Sequence, residues 1–212
     1  MKKKLFVFLM ILTMGILSGC GMTAEEASDY VKASLDAAYK GEFDAFVEIT
    51  DSTPEGAKAM YEENIIHTME AAGFSDMDIS DELTKQYRQL FLDISKVANY
   101  TVGDAKETEN GEYEVEVKIY PLTLFAQVSE DEVTEAVIDR IDGMKKYPSD
   151  NKIVQITFEE LYDIYAEKMK EPEYSDEIVV QTVGVHKNEE GMFYISEEDM
   201  LALDKAMFEL NK

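Results

Sequence analysis

Apolar positions along this 212-residue chain change period several times, and each change marks an element. Over residues 23–40 they recur every three or four positions as Ala27, Val31, Leu35 and Ala38, with Tyr30 and Ser34 beside them. That spacing predicts an amphipathic helix. Thr23-Ala24-Glu25-Glu26 supplies a capping box at its start, and Gly41 is its stop. Residues 43–49 read as a second, short helix. Thr53 and Pro54 open a third that runs to about Gly73, with an oxygen acceptor placed before a residue that has no N–H to satisfy. Ser80 caps a fourth, to about Val97, whose core face is Leu83, Tyr87, Leu90, Phe91 and Ile94.

The period then falls to two. Tyr113, Val115, Val117 and Ile119 alternate with Glu112, Glu114, Glu116 and Lys118, the pattern of a half-buried strand. Asn110-Gly111 just ahead is a hairpin turn, so residues 98–108 are the partner strand. Ser129 opens a further helix with Val133, Val137 and Ile141 expected to face inward. Residues 151–171 carry a helical stripe of Val154, Phe158, Leu161, Tyr165 and Met169, ended by Pro172. Residues 177–186 and 192–195 read as a second pair of strands, the latter at a sheet edge. Ser196 caps a C-terminal helix to about residue 210. The sum is an α+β fold. N-terminal helices pack on an antiparallel sheet of about four strands, arranged as two hairpins. A helical insert separates the hairpins, and a C-terminal helix follows. Residues 23–212 form a single domain with no internal repeat.

The first 22 residues are patterned differently. Lys2, Lys3 and Lys4 precede an apolar run, residues 5–17, broken only by Thr13 and Gly15. Thirteen residues are too few to span a bilayer core, which needs about 20. A basic start, a short apolar stretch and small residues at its end fit a signal peptide. The string Leu17-Ser18-Gly19-Cys20 resembles the lipobox of bacterial lipoproteins. The resemblance implies cleavage between Gly19 and Cys20 and a diacylglycerol (palmitate-type) lipid on Cys20. Residues 1–19 are then the signal peptide, and residues 20–22 a lipidated N-terminus and minimal tether. The protein would sit on the extracytoplasmic face of the cell membrane. Gly21 replaces the Asp that would suggest inner-membrane retention in Gram-negative cells, and the segment looks like that of a Gram-positive surface lipoprotein.

A more diffuse likeness covers the mature chain. The stretch from Asp29 to Asp44 resembles the opening of small clostridial-type lipoproteins of unknown function, many of them similar to cystatin-like or NTF2-like cones. The last strand pair resembles the closing strand of such domains. Phe193-Tyr194 stands where that strand often carries Trp, and the long helical insert departs from the simple cone.

Charge narrows the partners. The chain carries −25, and loss of Lys2, Lys3 and Lys4 with the signal peptide takes it to −28. Such a surface argues against nucleic acid, which requires a basic footprint. It also argues against electrostatic adhesion to anionic lipid, so the lipid on Cys20 must supply the membrane attachment. Cys20 is the only cysteine. Once it is lipidated no thiol remains for a disulfide, a zinc site or thiolate catalysis.

Candidate chemistry is sparse. Asp76-Met77-Asp78-Ile79-Ser80 begins like a calcium loop, but Asp81 and Tyr87 occupy the places that need Gly and Glu. Only a loose cation site at Asp76, Asp78 and Glu82 survives beside the plainer reading of an acidic loop. Ser149-Asp150-Asn151-Lys152 superposes two fragments of the penicillin-binding signature on one serine without the Lys-Thr-Gly that must accompany them, and reads as a polar loop. His67 and His186 are unpaired with any nucleophile by spacing. Glu159-Glu160 reads as a pair of helix-capping acids. Tyr162, Tyr165 and Met169, or Tyr113 and Tyr120, would either line an apolar pocket or fill the core edge. No catalytic residue, cofactor site or metal site is assigned. The expectation is a lipid-anchored, non-enzymatic protein that binds an envelope protein or a small ligand. A ligand-binding cone with a tyrosine-lined pocket is the first alternative. An enzyme pairing Asp or Glu with Tyr inside such a pocket is the second.

Overall fold

The computed structural model describes residues 17–18, 21–71, 73–189 and 191–209. Helix α1 (Ala24–Leu35) starts at a reciprocal cap: the Glu26 N–H donates to the Thr23 hydroxyl at 3.2 Å, and the Thr23 N–H donates to the Glu26 carboxylate at 2.7 Å. Two of the four orphan amides of the first turn are thereby satisfied. The chain then widens into a π-helical turn, Asp36–Lys40, and stops at Gly41 with φ 68°, where a side chain would be strained. Helix α2 (Asp44–Thr50), helix α3 (Pro54–Ala71) and a 3-10 turn (Phe74–Asp76) lead to α4 (Asp81–Lys96), capped by Ser80. Leu83, Tyr87, Leu90, Phe91 and Ile94 are its buried face, as the period predicts.

Strands β2 (Asn99–Glu107) and β3 (Tyr113–Tyr120) form the first hairpin. Helices α5 (Glu130–Asp142) and α6 (Asp150–Lys168) form the insert. Strands β4 (Val179–Lys187) and β5 (Met192–Ile195) make the second hairpin, and α7 (Glu197–Met207) closes the domain. A two-residue strand, β1 (Leu17–Ser18), lies beside β5. The sheet is antiparallel throughout, in the order β1-β5-β4-β3-β2. Its inner face carries Tyr113, Val115, Val117 and Ile119 of β3, and Val183, Val185, Phe193 and Ile195 of the second hairpin, all buried. Helix α1 crosses this face over β2, β3 and β4, and α7 covers β4. The α+β architecture read from the sequence therefore holds, with helices on one face.

A buried polar hub ties these layers. Asp36 accepts hydrogen bonds from Lys32, from Lys40 at 2.8 Å and from the Tyr100 hydroxyl at 2.7 Å. Tyr39 donates to Asp204 of α7 at 2.7 Å, and its carbonyl accepts from the Ser95 hydroxyl of α4. The Lys40 ammonium also sits 4.4 Å from the centre of the Tyr100 ring. Two carboxylates in the interior are each paid for in partners, as burial of a charge requires. Burial works against ionisation of Asp36, but the bonds from Lys32, Lys40 and Tyr100 outweigh it and hold the carboxyl below its ordinary value. Burial, with Asp36 as acceptor, pushes the Tyr100 hydroxyl far up, and Tyr39 rises likewise against Asp204.

Two inward faces read from the sequence need correction. Helix α5 buries no residue: Val133, Val137 and Ile141 are only half-buried, because α5 packs on α6 and not on the central core. In α6, Val154 is exposed and Ile156 is buried in its place, so the stripe is rotated at its start. The boundary between α and π helix after Leu35, and the end of α7 at Met207, also differ from the continuous helices expected.

Replacing Asp36 with Asn is expected to destabilise the fold by about 2 kcal/mol, as for loss of hydrogen bonds to a charged group. Because the folded carboxyl titrates below its unfolded value of about 3.9, the stabilisation is complete above that pH. It is lost as pH falls through the folded value. Urea melts of both proteins at pH 7 and near pH 3 check this: the gap between them should shrink in acid.

Candidate functional site: a polar cleft between α4 and the helical insert

The N-terminus of α4 faces α6 across a cleft of about 400 Å³ lined by Ser80, Glu82, Leu83, Gln86, Arg140, Gln155, Glu159, Tyr162 and Asp163. One side of it is held by hydrogen bonds of amide groups. The Ser80 N–H donates to Gln155 Oε1 at 2.8 Å, and Gln155 Nε2 donates to Glu159 Oε1 at 2.7 Å and to Ser80 Oγ at 3.2 Å. Ser80 Oγ also accepts from the Leu83 N–H at 3.3 Å as the cap of α4. One end is closed by Arg140 of α5, which donates to Glu160 at 2.7 Å and to Glu159. Tyr162 stands on the wall with its ring 5.6 Å from that of Tyr87, edge to face.

The electrostatics are mixed. The bond to Glu160 and the neighbouring Glu159 charge raise the Arg140 guanidinium above its usual value. Partial burial opposes the charge on Glu159, but Gln155, Arg140 and Lys152 prevail and hold it below the usual carboxylate range. A carboxylate so held is a hydrogen-bond acceptor at neutral pH, not a proton donor. The hydroxyl of Ser80 is engaged as a cap, and no histidine lines the cleft. The arrangement suits recognition of a polar group by amides and opposed charges.

The structure distributes the sequence candidates widely. Gly19 and Cys20 lie outside the described residues. Asp78 accepts from Asn151 Nδ2 and so joins the α4 cap to the start of α6. Glu82 lines the cleft, while Asp76 ends the 3-10 turn. Among the described residues no three His, Cys, Asp or Glu side chains gather as a metal site. In the Ser149–Lys152 string, Ser149 precedes α6, and Lys152 lies 4.0 Å from Glu159. His67 is exposed on α3, 3.7 Å from Glu63 and 3.3 Å from Glu70. His186 lies 3.5 Å from Glu112 and 3.6 Å from Asp199, bridging the two hairpins to α7.

Tyr162 reaches the cleft, whereas Tyr165 is buried against Phe125 at 5.6 Å and Met169 packs on the core edge. Burial pushes the Tyr165 hydroxyl up to about 12. Tyr113 and Tyr120 do not share a pocket. They end one strand with opposite parity, so Tyr113 enters the core beside Phe193 and Tyr120 points to the other face. Glu159 and Glu160 are not caps. They sit in the middle of α6, beyond reach of its first-turn amides, and clamp Arg140. Sequence reasoning missed Arg140, Gln155 and Asp163 as cleft residues. It also missed Asp36 and Asp204, although Lys32, Asp36 and Lys40 at intervals of four already spell a helical ion-pair ladder.

No family model matches the chain, and no curated protein does. Among solved structures the fold is similar to that of a candidate lipoprotein, ycdA, from Bacillus subtilis subsp. subtilis strain 168. The TM-score is 0.56 at 19% sequence identity, over 88% of this chain and 58% of that one. The chain thus spans a little over half the length of that protein.

Four buried β3 side chains contribute on the order of 1.5–3 kcal/mol each, whereas α5 buries none and is tied to α6 by the Arg140 clamp, so α5 opens first. Arg140→Ala is therefore expected to leave the global unfolding midpoint within about 1 kcal/mol of the parent, as for exposed ion pairs. Amide hydrogen exchange in α5 should accelerate at least severalfold while exchange in β3 is unchanged.

Proposed function

We propose that this chain is a lipid-anchored extracytoplasmic protein that works by binding at the cell surface. The observation that carries this reading is the Leu17-Ser18-Gly19-Cys20 string at the end of a short apolar run. The likeness in fold to a candidate lipoprotein supports it. So does the geometry just after the motif. Met22 is buried, its carbonyl accepts a hydrogen bond from the Tyr113 hydroxyl, and α1 is capped at Thr23. Only Gly21 lies between Cys20 and the buried Met22. A diacyl chain anchors stably where one acyl chain does not. No helix among the described residues is long and apolar enough to cross a membrane. The finer assignments, a Gram-positive surface and a cone of the cystatin-like or NTF2-like kind, rest on the sequence likeness and on α1 lying across a one-sided sheet.

Binding is favoured over catalysis by where the acid–tyrosine pairs sit. Asp36 with Tyr100 and Asp204 with Tyr39 are enclosed in the core, away from the cleft, and act as struts. A second reading, capture of a small polar ligand, draws on the cleft between α4 and α6.

Cys20→Ala separates the anchor from the fold. In cells, the variant should leave the membrane fraction or accumulate uncleaved, with an unchanged melting temperature after purification. Palmitate labelling that persists in the variant would refute the anchor.

A further inference from the structure

The described surface carries eight exposed large hydrophobic residues, and four of them fall within 17 positions of the insert: Ile138, Met144, Tyr147 and Val154. They flank the turn between α5 and α6, and Tyr147 is 74% exposed. Monomer surfaces scatter such residues singly, and a cluster marks a contact site. The same turn holds Lys145 and Lys146, which have no acidic partner among the described residues. In a chain of net charge −25 this is a local reversal of sign. Below it, the Arg140 clamp to Glu159 and Glu160 fastens the two helices together.

Position in the fold narrows what can reach it. Met22, the residue nearest the proposed lipid, is fixed to Tyr113 at the start of β3. The insert leaves beyond the other end of that strand, about 23 Å away at 3.3 Å per residue. It returns there too, with Leu122 bridged to Tyr174, and Ile119 opposite Val179. Helix α5 packs on α6, and α6 packs on α4. The insert is therefore rooted at the end of the sheet remote from the anchor, and its tip is offered to the medium.

We infer that this tip is a docking knob for an extracytoplasmic protein whose receiving groove is apolar at its base and acidic at its rim. The inference rests on the anchored reading above. Charge complementarity selects an acidic rim for Lys145 and Lys146, and the four apolar side chains require an apolar base. Four apolar side chains and two lysines fall far short of the roughly 20–30 residues a side of a stable interface, so the tip suits insertion into a groove, with the exposed Tyr147 as the anchor side chain.

The test is photocrosslinking in cells that make the full chain, with Tyr147 replaced by p-benzoylphenylalanine. A control carries the same probe at Tyr194, on the sheet. The inference expects one protein adduct from position 147 and none of that mass from position 194. Peptide mapping should place the crosslink among acidic and apolar side chains. Lys145→Glu with Lys146→Glu should reduce the adduct at least about tenfold, by like-charge repulsion at the rim. An adduct with phospholipid, with wall polymer or with a second copy of the chain overturns the inference, as does no adduct or one indifferent to the charge reversal. Membrane fractionation of the same cells reports on the anchor separately, so loss of the adduct from a membrane-bound protein removes the knob and spares the anchor.

Discussion

Asp36 is the residue on which the layers depend. It sits where α1 passes into its π turn, and its carboxylate gathers Lys32, Lys40 and Tyr100. Three residues further on, Tyr39 reaches α7 through Asp204 and α4 through Ser95. One stretch of backbone thus contacts the N-terminal helix, the edge strand, the fourth helix and the last helix. The π turn is what makes this possible. A wider turn rotates the following side chains relative to a continuous α-helix, so Asp36 and Tyr39 can serve different neighbours. Burying carboxylates is costly, and their replacement by apolar groups is often neutral for stability alone. What the hub adds is definition, since each partner fits one relative placement of the layers.

The molecule is consequently uneven. Around the hub and β3, side chains are fully enclosed and aromatic rings meet edge to face, as Tyr39 does with Phe208 at 6.1 Å. The insert is built another way. Its outer helix α5 buries nothing, and α6 meets the rest of the domain through Gln155, the Tyr87 hydroxyl and mostly half-buried side chains, with Ile156 and Tyr165 buried. Binding surfaces are drawn from such less committed regions, because a surface already satisfied by its own core has nothing left to offer. The cleft and the tip of the insert both belong to this part, and the sheet and α1 serve as its support.

How legible this was in the sequence follows from which physics governs each part. Tyr113, Val115, Val117 and Ile119 announce themselves because a strand with one wet face must alternate. Thr23, Thr53, Ser80, Ser129 and Ser196 announce helix starts because orphan amides need an acceptor nearby in sequence. The insert was harder. Val154 and Val137 have the right period for a buried face, but period tells only that residues share a side, not what covers that side. The cleft was nearly invisible. Gln155, Asp163 and Arg140 come from two helices that meet only in three dimensions, and Glu159-Glu160 looked like caps because an arginine 19 residues away cannot be matched to them from spacing. The reading of Leu17-Ser18-Gly19-Cys20 needs no such meeting in space, because its whole context is contiguous.

The two rims of the sheet are managed differently. On the β2 side a bulge between Val102 and Ala105 breaks the ladder, and the freed Ala105 N–H is taken by the Ser28 hydroxyl at 2.8 Å. On the other side β5 is paired with Leu17–Ser18. Those two residues belong to the stretch that the proposed cleavage before Cys20 would remove. A mature chain would therefore show a bare rim at β5, only four residues long and followed at once by α7. So short a rim gives a foreign strand little to zip onto. Were the chain held by a lipid as proposed, a sheet that ends in a stub on one side and a bulge on the other could be crowded in one plane without polymerising.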